Sequence, residues 1–193
     1  MEAGGDFLEL CVQIARITMV FETAQGLFSP AGPDRGTLAM LRVARLEKGM
    51  RVLDLGCGWG LAGVYAARVC GAQGVVMTDI DARAVEAARA NATRNGVGDV
   101  RAYVGDALDA VPDRAFDAIL CNPPYQSDFS VAKKFILKSF NRLEIGGRLY
   151  LVVKRHDWYF NKLKSVFGGA RTHIEDGYFV FEAQRRERRY AQK

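Results

Sequence analysis

The sequence predicts an α/β fold, a mostly parallel sheet with helices on both faces, from three observations. From residue 50 onward, short apolar runs alternate with longer amphipathic stretches, the order that a sheet with crossover helices produces. Two apolar runs end in turns of unusual composition, Asp54-Leu55-Gly56-Cys57-Gly58-Trp59-Gly60 and Asn122-Pro123-Pro124-Tyr125. Near the end, Asp176-Gly177 separates two strand-like runs and favours a type I′ hairpin, which would add an antiparallel strand. Right-handed crossovers narrow the topology, and ligands of such sheets bind beyond the carboxyl ends of the strands near the topological switch point.

Element by element, residues 7–16 carry Phe7, Leu8, Cys11, Ile14 and Ala15 at helical spacing. Residues 17–21 and 26–28 read as short strands of a hairpin around Ala24-Gln25-Gly26. Asp34 suits a helix N-cap, with Leu38, Leu41, Val43 and Leu46 following. Then come a strand at 51–55, a helix over Leu61–Cys70 and a strand at 74–78. Asp81 caps a helix through Val85, Ala88 and Ala92 that Asn95-Gly96 stops. Strands at 100–104 and Phe116–Cys121 follow. A helix over 129–143 shows a stripe of Ala132, Phe135, Ile136, Phe140 and Leu143, with Gly146-Gly147 as its stop. A strand at 148–153, a helix over Asp157–Phe167 and strands at Arg171–Glu175 and 178–182 complete the chain.

The 193 residues suffice for one domain with a full core. The expected division is an N-terminal helix/strand extension over 1–22 and a single domain over 23–193. There is no internal repeat or low-complexity tract. Apolar residues make up 49% and charged residues 25%, which fits a soluble globular protein. No apolar run approaches the ~20 residues of a membrane span. The acidic start, Met1 to Asp6, lacks the basic region of a secretory signal, so a cytoplasmic location is expected. Four cysteines without a CxxC pair and only two histidines make a zinc site unexpected, and no metal is assigned. The net charge of +5 is uneven: Arg185, Arg186, Arg188 and Arg189, with Lys154, Arg155, Lys162, Lys164 and Arg171, make the C-terminal third basic. Such a region either attracts a phosphate backbone or is a solvated face. Oligomeric state is not legible.

The two turns carry the chemistry. In Asp54-x-Gly56-x-Gly58-x-Gly60 the glycines leave room for a tight turn and for a ligand against the backbone. The spacing is not the GxGxxG of dinucleotide sites, and an aspartate opening the turn suits an ammonium-bearing ligand better than a pyrophosphate. Asp79 stands about 20 residues past the last glycine, at a strand end, where an acid meets ribose hydroxyls. Asp106, after the next strand, is a candidate for the adenine amino group. In Asn122-Pro123-Pro124-Tyr125 the prolines fix the backbone and remove two donors. The Asn122 side-chain oxygen and the Pro123 carbonyl become two acceptors for the two hydrogens of an –NH2 group, and Tyr125 offers a stacking face. Holding both hydrogens aims the nitrogen lone pair at an electrophile, so catalysis is chiefly orientation and electrostatics. The combination points to methyl transfer from S-adenosyl-L-methionine to an amino or amide nitrogen. The alternative of Cys121 as nucleophile for carbon methylation fails if, as expected, it lies within the strand.

These motifs resemble class I S-adenosylmethionine-dependent methyltransferases over nearly the whole chain from about Thr18. The resemblance implies a Rossmann-like seven-stranded sheet in the order 3-2-1-4-5-7-6 with strand 7 antiparallel. It makes Asn122, Pro123, Pro124 and Tyr125 the catalytic motif. It assigns Asp54, Gly56, Cys57, Gly58 and Gly60, then Asp79, Ile80, Asp106, Ala107 and Asn122 to cofactor binding. Gly26-Leu27-Phe28-Ser29 and Gly32-Pro33-Asp34-Arg35-Gly36-Thr37 are similar to the segment preceding the glycine turn in RsmC-type ribosomal RNA guanine-N2 methyltransferases, and by that resemblance Gly36 and Thr37 also contact the cofactor. RNA, held by the basic C-terminal region, is the implied partner. The rivals are glutamine-amide methylation of a protein, adenine-N6 methylation of DNA or RNA, a small-molecule acceptor, and a non-catalytic RNA-binding scaffold with a vestigial pocket. Tyr125 is the commoner residue after the prolines in adenine and glutamine enzymes.

Overall fold

A computed structural model of the chain describes residues 7–124, 129–187 and 189–190. It opens with an antiparallel hairpin of β1 (Phe7–Ile14) and β2 (Ile17–Ala24). Helix α1 (Arg35–Val43) leads into β3 (Val52–Leu55), α2 (Leu61–Cys70), β4 (Val75–Asp79), α3 (Ala82–Arg94), β5 (Arg101–Val104) and β6 (Phe116–Cys121). Then follow α4 (Phe129–Arg142), β7 (Leu143–Val153), α5 (Asp157–Phe167), β8 (Arg171–Glu175) and β9 (Tyr178–Gln184).

Strands β3 to β9 form one seven-stranded sheet in the order β5-β4-β3-β6-β7-β9-β8. β9 runs antiparallel to both neighbours and the remaining pairs are parallel. Counted from β3, this is the expected 3-2-1-4-5-7-6 order. The order reverses between β3 and β6, so the carboxyl ends of these two strands flank the crevice where ligands of such sheets bind.

The central strands are buried on both faces, so they read as continuous apolar runs rather than alternating ones. Val52, Leu120, Tyr150 and Val152 pack with residues of α1, α2 and α3 on one face, joined by the hairpin's Val12, Ile14, Met19 and Phe21. Leu53, Ile119, Leu149 and Leu151 pack with α4 and α5 on the other. Phe116, Phe140 and Phe181 are among the largest fully buried side chains; truncating a residue of that kind to alanine costs about 3–5 kcal/mol.

The structure corrects four expectations. Residues 7–14 form a strand, not a helix. Val12 and Ile14 turn inward while Cys11 and Gln13 turn out, a period of two, and pairing with β2 satisfies the backbone. The hairpin turn falls at Ala15-Arg16, where Ala15 has φ 52°, not at Ala24-Gln25-Gly26. Residues 26–28 are turn and bend, with Leu27 N–H donating to the Ala24 carbonyl at 3.2 Å. Gly146-Gly147 lies inside β7, not at a helix end; α4 stops at Arg142. There the register jumps from Phe116 opposite Leu143 to Ala118 opposite Arg148, and a Cβ on Gly147 would stand 2.6 Å from the Phe116 carbonyl oxygen. No helix among the described residues is long and apolar enough to cross a membrane.

Candidate active site

The glycine turn leaves β3 toward α2. Gly56, Gly58 and Gly60 have φ of 78°, 52° and 97°, the left-handed region that side chains rarely adopt. A Cβ on Gly60 would also stand 3.0 Å from Ala88 of α3. Gly56 and Cys57 N–H both donate to the Thr78 carbonyl, at 2.9 and 3.0 Å, which ties the turn to the end of β4. Asp79, the last residue of β4, accepts from Gly58 N–H at 2.9 Å through Oδ2 and from Asp81 N–H at 3.0 Å through Oδ1. Each carboxylate oxygen keeps a lone pair beyond these bonds. Asp81, as expected, caps α3, accepting from Arg83 N–H.

Asp54 is 3% exposed and accepts from Gly63 N–H at 2.7 Å. Burial raises its pKa to about 7; the Gly63 N–H pulls it down and the charge of Asp79 adds to the rise. Cys57 and Cys121 are buried, and burial pushes both thiols well above their ordinary range. Neither supplies a thiolate near neutral pH, which removes the cysteine-nucleophile alternative.

Asn122 follows β6. Its Nδ2 donates to Asp34 Oδ1 at 2.7 Å and to Thr37 Oγ1 at 2.9 Å. Its Oδ1 is buried and has no hydrogen-bond partner among the described residues. Asp34 is the N-cap of α1, accepting from Thr37 N–H at 2.8 Å. Pro123 is buried and Pro124 exposed; Tyr125 lies outside the described residues.

These elements enclose a narrow cavity of about 30 Å³ walled by Thr37, Asp54, Gly56, Cys57, Gly58 and Asn122. Phe28, Met40, Trp59, Leu61 and Ala62 complete its lining. Among the described residues no basic side chain lines it, so its field favours a cation and disfavours a phosphate. The expected residues 36, 60, 79, 80, 106, 107, 123 and 124 stand outside this lining. Gly36 is buried in the first turn of α1. Ile80 is 72% exposed at the end of β4. Asp106 pairs with Lys134 of α4, and the buried Ala107, at φ 58°, accepts from Thr78 Oγ1 at 3.2 Å. The Asp79 carbonyl accepts from Gly105 N–H at 2.9 Å, which joins the ends of β4 and β5. Sequence reading took Asp34 for a helix cap within a segment that resembles a pocket-lining one, did not pair it with Asn122, and missed Met40, Leu61 and Ala62; nothing local signals that Asp34 meets a residue 88 positions away.

The basic C-terminal third divides in space. Lys154 and Arg155 are exposed and follow the carboxyl end of β7, on the same edge of the sheet as the cavity. Arg185, Arg186 and Arg189 follow β9, which runs the other way, and so leave from the opposite edge. Arg185 is committed to the fold there, donating to the Leu143 carbonyl with its guanidinium 4.9 Å from the Phe140 ring centre. Arg188 lies outside the described residues.

The model of the methyltransferase small domain matches residues 18–182. The chain belongs to that family. Among relatives of this methyltransferase small domain, ribosomal RNA small subunit methyltransferase C of Sodalis glossinidius is 35% identical over 173 residues, covering 86% of this chain and 48% of that protein. Ribosomal RNA large subunit methyltransferase G of Klebsiella pneumoniae is 33% identical over 161 residues, covering 80% and 43%. Among solved structures, the T. thermophilus 16S rRNA N2 G1207 methyltransferase (RsmC) in complex with AdoMet and guanosine superposes with a TM-score of 0.84 at 27% identity, covering 93% of this chain and 51% of that one. The chain thus spans about half the length of these relatives.

Proposed function

We propose that this chain is an S-adenosylmethionine-dependent N-methyltransferase acting on an exocyclic amino group of RNA, guanine N2 of ribosomal RNA before others. The observation that carries this reading is the buried Oδ1 of Asn122, unpartnered among the described residues, on a side chain that lines a cavity together with Asp54. A buried acceptor without a donor costs about 1–3 kcal/mol, and an –NH2 group entering the cavity would supply the missing hydrogen.

Bound S-adenosylmethionine supplies an electrophilic methyl group. The chain's own residues do the rest. Asp54, buried and negative above pH 7, receives the ammonium end of the cofactor. Asp79 has lone pairs left for two ribose hydroxyls, and the exposed Ile80 offers an apolar surface to the adenine, with Asp106 and Ala107 beside it. Gly36, Thr37 and the glycine turn complete the cofactor site. Asn122 Oδ1 and the Pro123 carbonyl take the two amino hydrogens, Pro124 keeps the turn rigid, and Tyr125 stacks on the base. No strong base is required, because the amino proton becomes acidic as the new bond forms. The relatives named for ribosomal RNA, and the solved relative holding AdoMet and guanosine, support both the cofactor and the acceptor.

RNA is the proposed partner and the cytoplasm the proposed place of action. Within the basic C-terminal region, Lys154 and Arg155 share the cavity's edge of the sheet, whereas the arginine tail requires RNA to reach around the domain. Transfer of tritium from labelled cofactor into separated RNA, DNA and protein, followed by nucleoside analysis, tests the reading. Label in N2-methylguanosine is the expected result. Label in N6-methyladenosine or methylglutamine would hand the function to a rival, and no transfer would favour a scaffold.

A further inference from the structure

We infer that Asp34 is a positioning residue whose carboxylate, acting directly and through Thr37, determines which end of the Asn122 amide faces the cavity. The inference rests on the proposed role of Asn122 as acceptor for the target amino group.

A helix N-cap needs one acceptor for one backbone donor. Asp34 Oδ1 takes three donors: Thr37 N–H at 2.8 Å, Thr37 Oγ1–H at 3.2 Å and Asn122 Nδ2–H at 2.7 Å. A carboxylate only accepts, so it selects the nitrogen end of the amide. Thr37 has a single hydroxyl proton, and it is spent on Asp34. The Thr37 oxygen therefore shows a lone pair to Asn122 Nδ2 at 2.9 Å and selects the same end. Both amide hydrogens are then used, and Oδ1 is left buried at the far end with no partner among the described residues.

Turning the amide over would press its oxygen against the carboxylate and the Thr37 lone pair. That repulsion locks the orientation in which an acceptor meets the substrate's amino hydrogens. With serine or asparagine at position 34, a hydroxyl or amide hydrogen faces Asn122 instead. Both amide orientations are then satisfied, and the flipped one sets donor against donor.

Asp34→Ser and Asp34→Asn test this, because both keep a strong N-cap residue while removing the acceptor-only group. Turnover number on RNA is expected to fall about tenfold or more, as misorientation of one reacting group does. The Kd of S-adenosylhomocysteine by calorimetry is expected to stay within about twofold, since the cap and the cavity wall persist. Thr37→Val should lower turnover, Thr37→Ser should turn over faster than Thr37→Val, and Asp34→Ser with Thr37→Val should lose less than the product of the two single losses, since both act on one amide. Unchanged turnover in both Asp34 variants would overturn the inference. So would parallel loss of turnover, cofactor affinity and melting temperature, which marks a structural clasp. Should the Asp34 variants fail to fold, full additivity of Thr37→Val with Asn122→Ala in single-turnover rates would overturn it, and a clear shortfall would uphold it. An Asn122→Ala variant that is fully active would instead sink the proposed function itself; an inactive Asn122→Ala beside fully active Asp34→Ser and Asp34→Asn would sink this inference alone.

Discussion

Asp54 shows how one residue ties stability to binding. Its folded-state pKa, about 7, lies above the ordinary 3.8. The folded protein therefore holds this proton more tightly than the unfolded chain does. The stabilisation from that proton is complete below pH ~4 and is lost as pH rises through about 7. A shift of this size corresponds to about 4 kcal/mol of differential stability. Asp54→Asn should accordingly melt about 10 °C higher than the natural protein at pH 8 in the absence of ligand, with the gap closing toward pH 5; scanning calorimetry at several pH values checks this. The same variant should bind S-adenosylhomocysteine at least about tenfold more weakly, and in the natural protein that affinity should climb between pH 5 and 7 and then level off, because only the ionised carboxylate attracts an ammonium. A melting difference independent of pH would show that the burial of charge is not its cause.

At the scale of elements, the β1–β2 hairpin is docked by two asparagines four residues apart, Asn91 in α3 and Asn95, the C-cap of that helix. Asn91, fully buried, accepts from Glu22 N–H at 2.8 Å and donates to the carbonyls of Glu22 at 2.9 Å and Trp59 at 2.8 Å. Asn95 accepts from Val20 N–H at 3.0 Å and donates to the Val20 carbonyl at 2.7 Å. The side chains thus stand in for a neighbouring strand, and through Trp59 they tie the hairpin to the glycine turn. Phe21 meets the Trp59 ring edge-on at 5.0 Å. Asn91→Ala strands three backbone groups, the buried Trp59 carbonyl and the half-buried N–H and carbonyl of Glu22, so it should cost about 2–4 kcal/mol and release β2 amides to hydrogen exchange before those of the central sheet. Equal protection in β2 and β6 of the variant would contradict this. The hairpin is also where sequence reading failed, for definable reasons. Residues 8, 11 and 14–15 fit a helical period while 10, 12 and 14 fit a strand, and a run this short does not separate the two. Its turn uses Ala15 at positive φ, with no glycine or asparagine to announce it. The closing hairpin was legible because Asp176 and Gly177, at φ 50° and 79°, are residues that accept such angles. Gly146-Gly147 misled because a glycine needed for contact with another strand looks, locally, like a helix stop. Asp34 was legible as a cap and illegible as a partner of Asn122, since a bond across 88 positions leaves no local pattern.

For the molecule as a whole, the sheet order brings Asp54 and Asn122, 68 residues apart in sequence, to adjacent strand ends of the switch point. Both motifs were readable because each combines a strand end with residues that restrict the backbone. The charge distribution was readable only as a total; its division between two edges of the sheet depends on the direction of β9. Replacing Lys154 and Arg155 with serine should weaken RNA binding and reduce its salt slope by about 2 if each meets a phosphate. Replacing Arg186 and Arg189 tests the tail in the same way, with turnover at saturating RNA expected to be preserved. Unaltered binding in either case returns that part of the region to solvated surface.

The central claim, that an oriented amide oxygen receives the hydrogens of the target amino group, is tested most directly by Asn122→Ala, with turnover on RNA and S-adenosylhomocysteine affinity measured on the same preparation. The account predicts that turnover falls about a hundredfold or more, the loss typical of removing one group that stabilises the transition state, while cofactor affinity stays within about twofold. Retained turnover, or loss of both quantities in step, would contradict it.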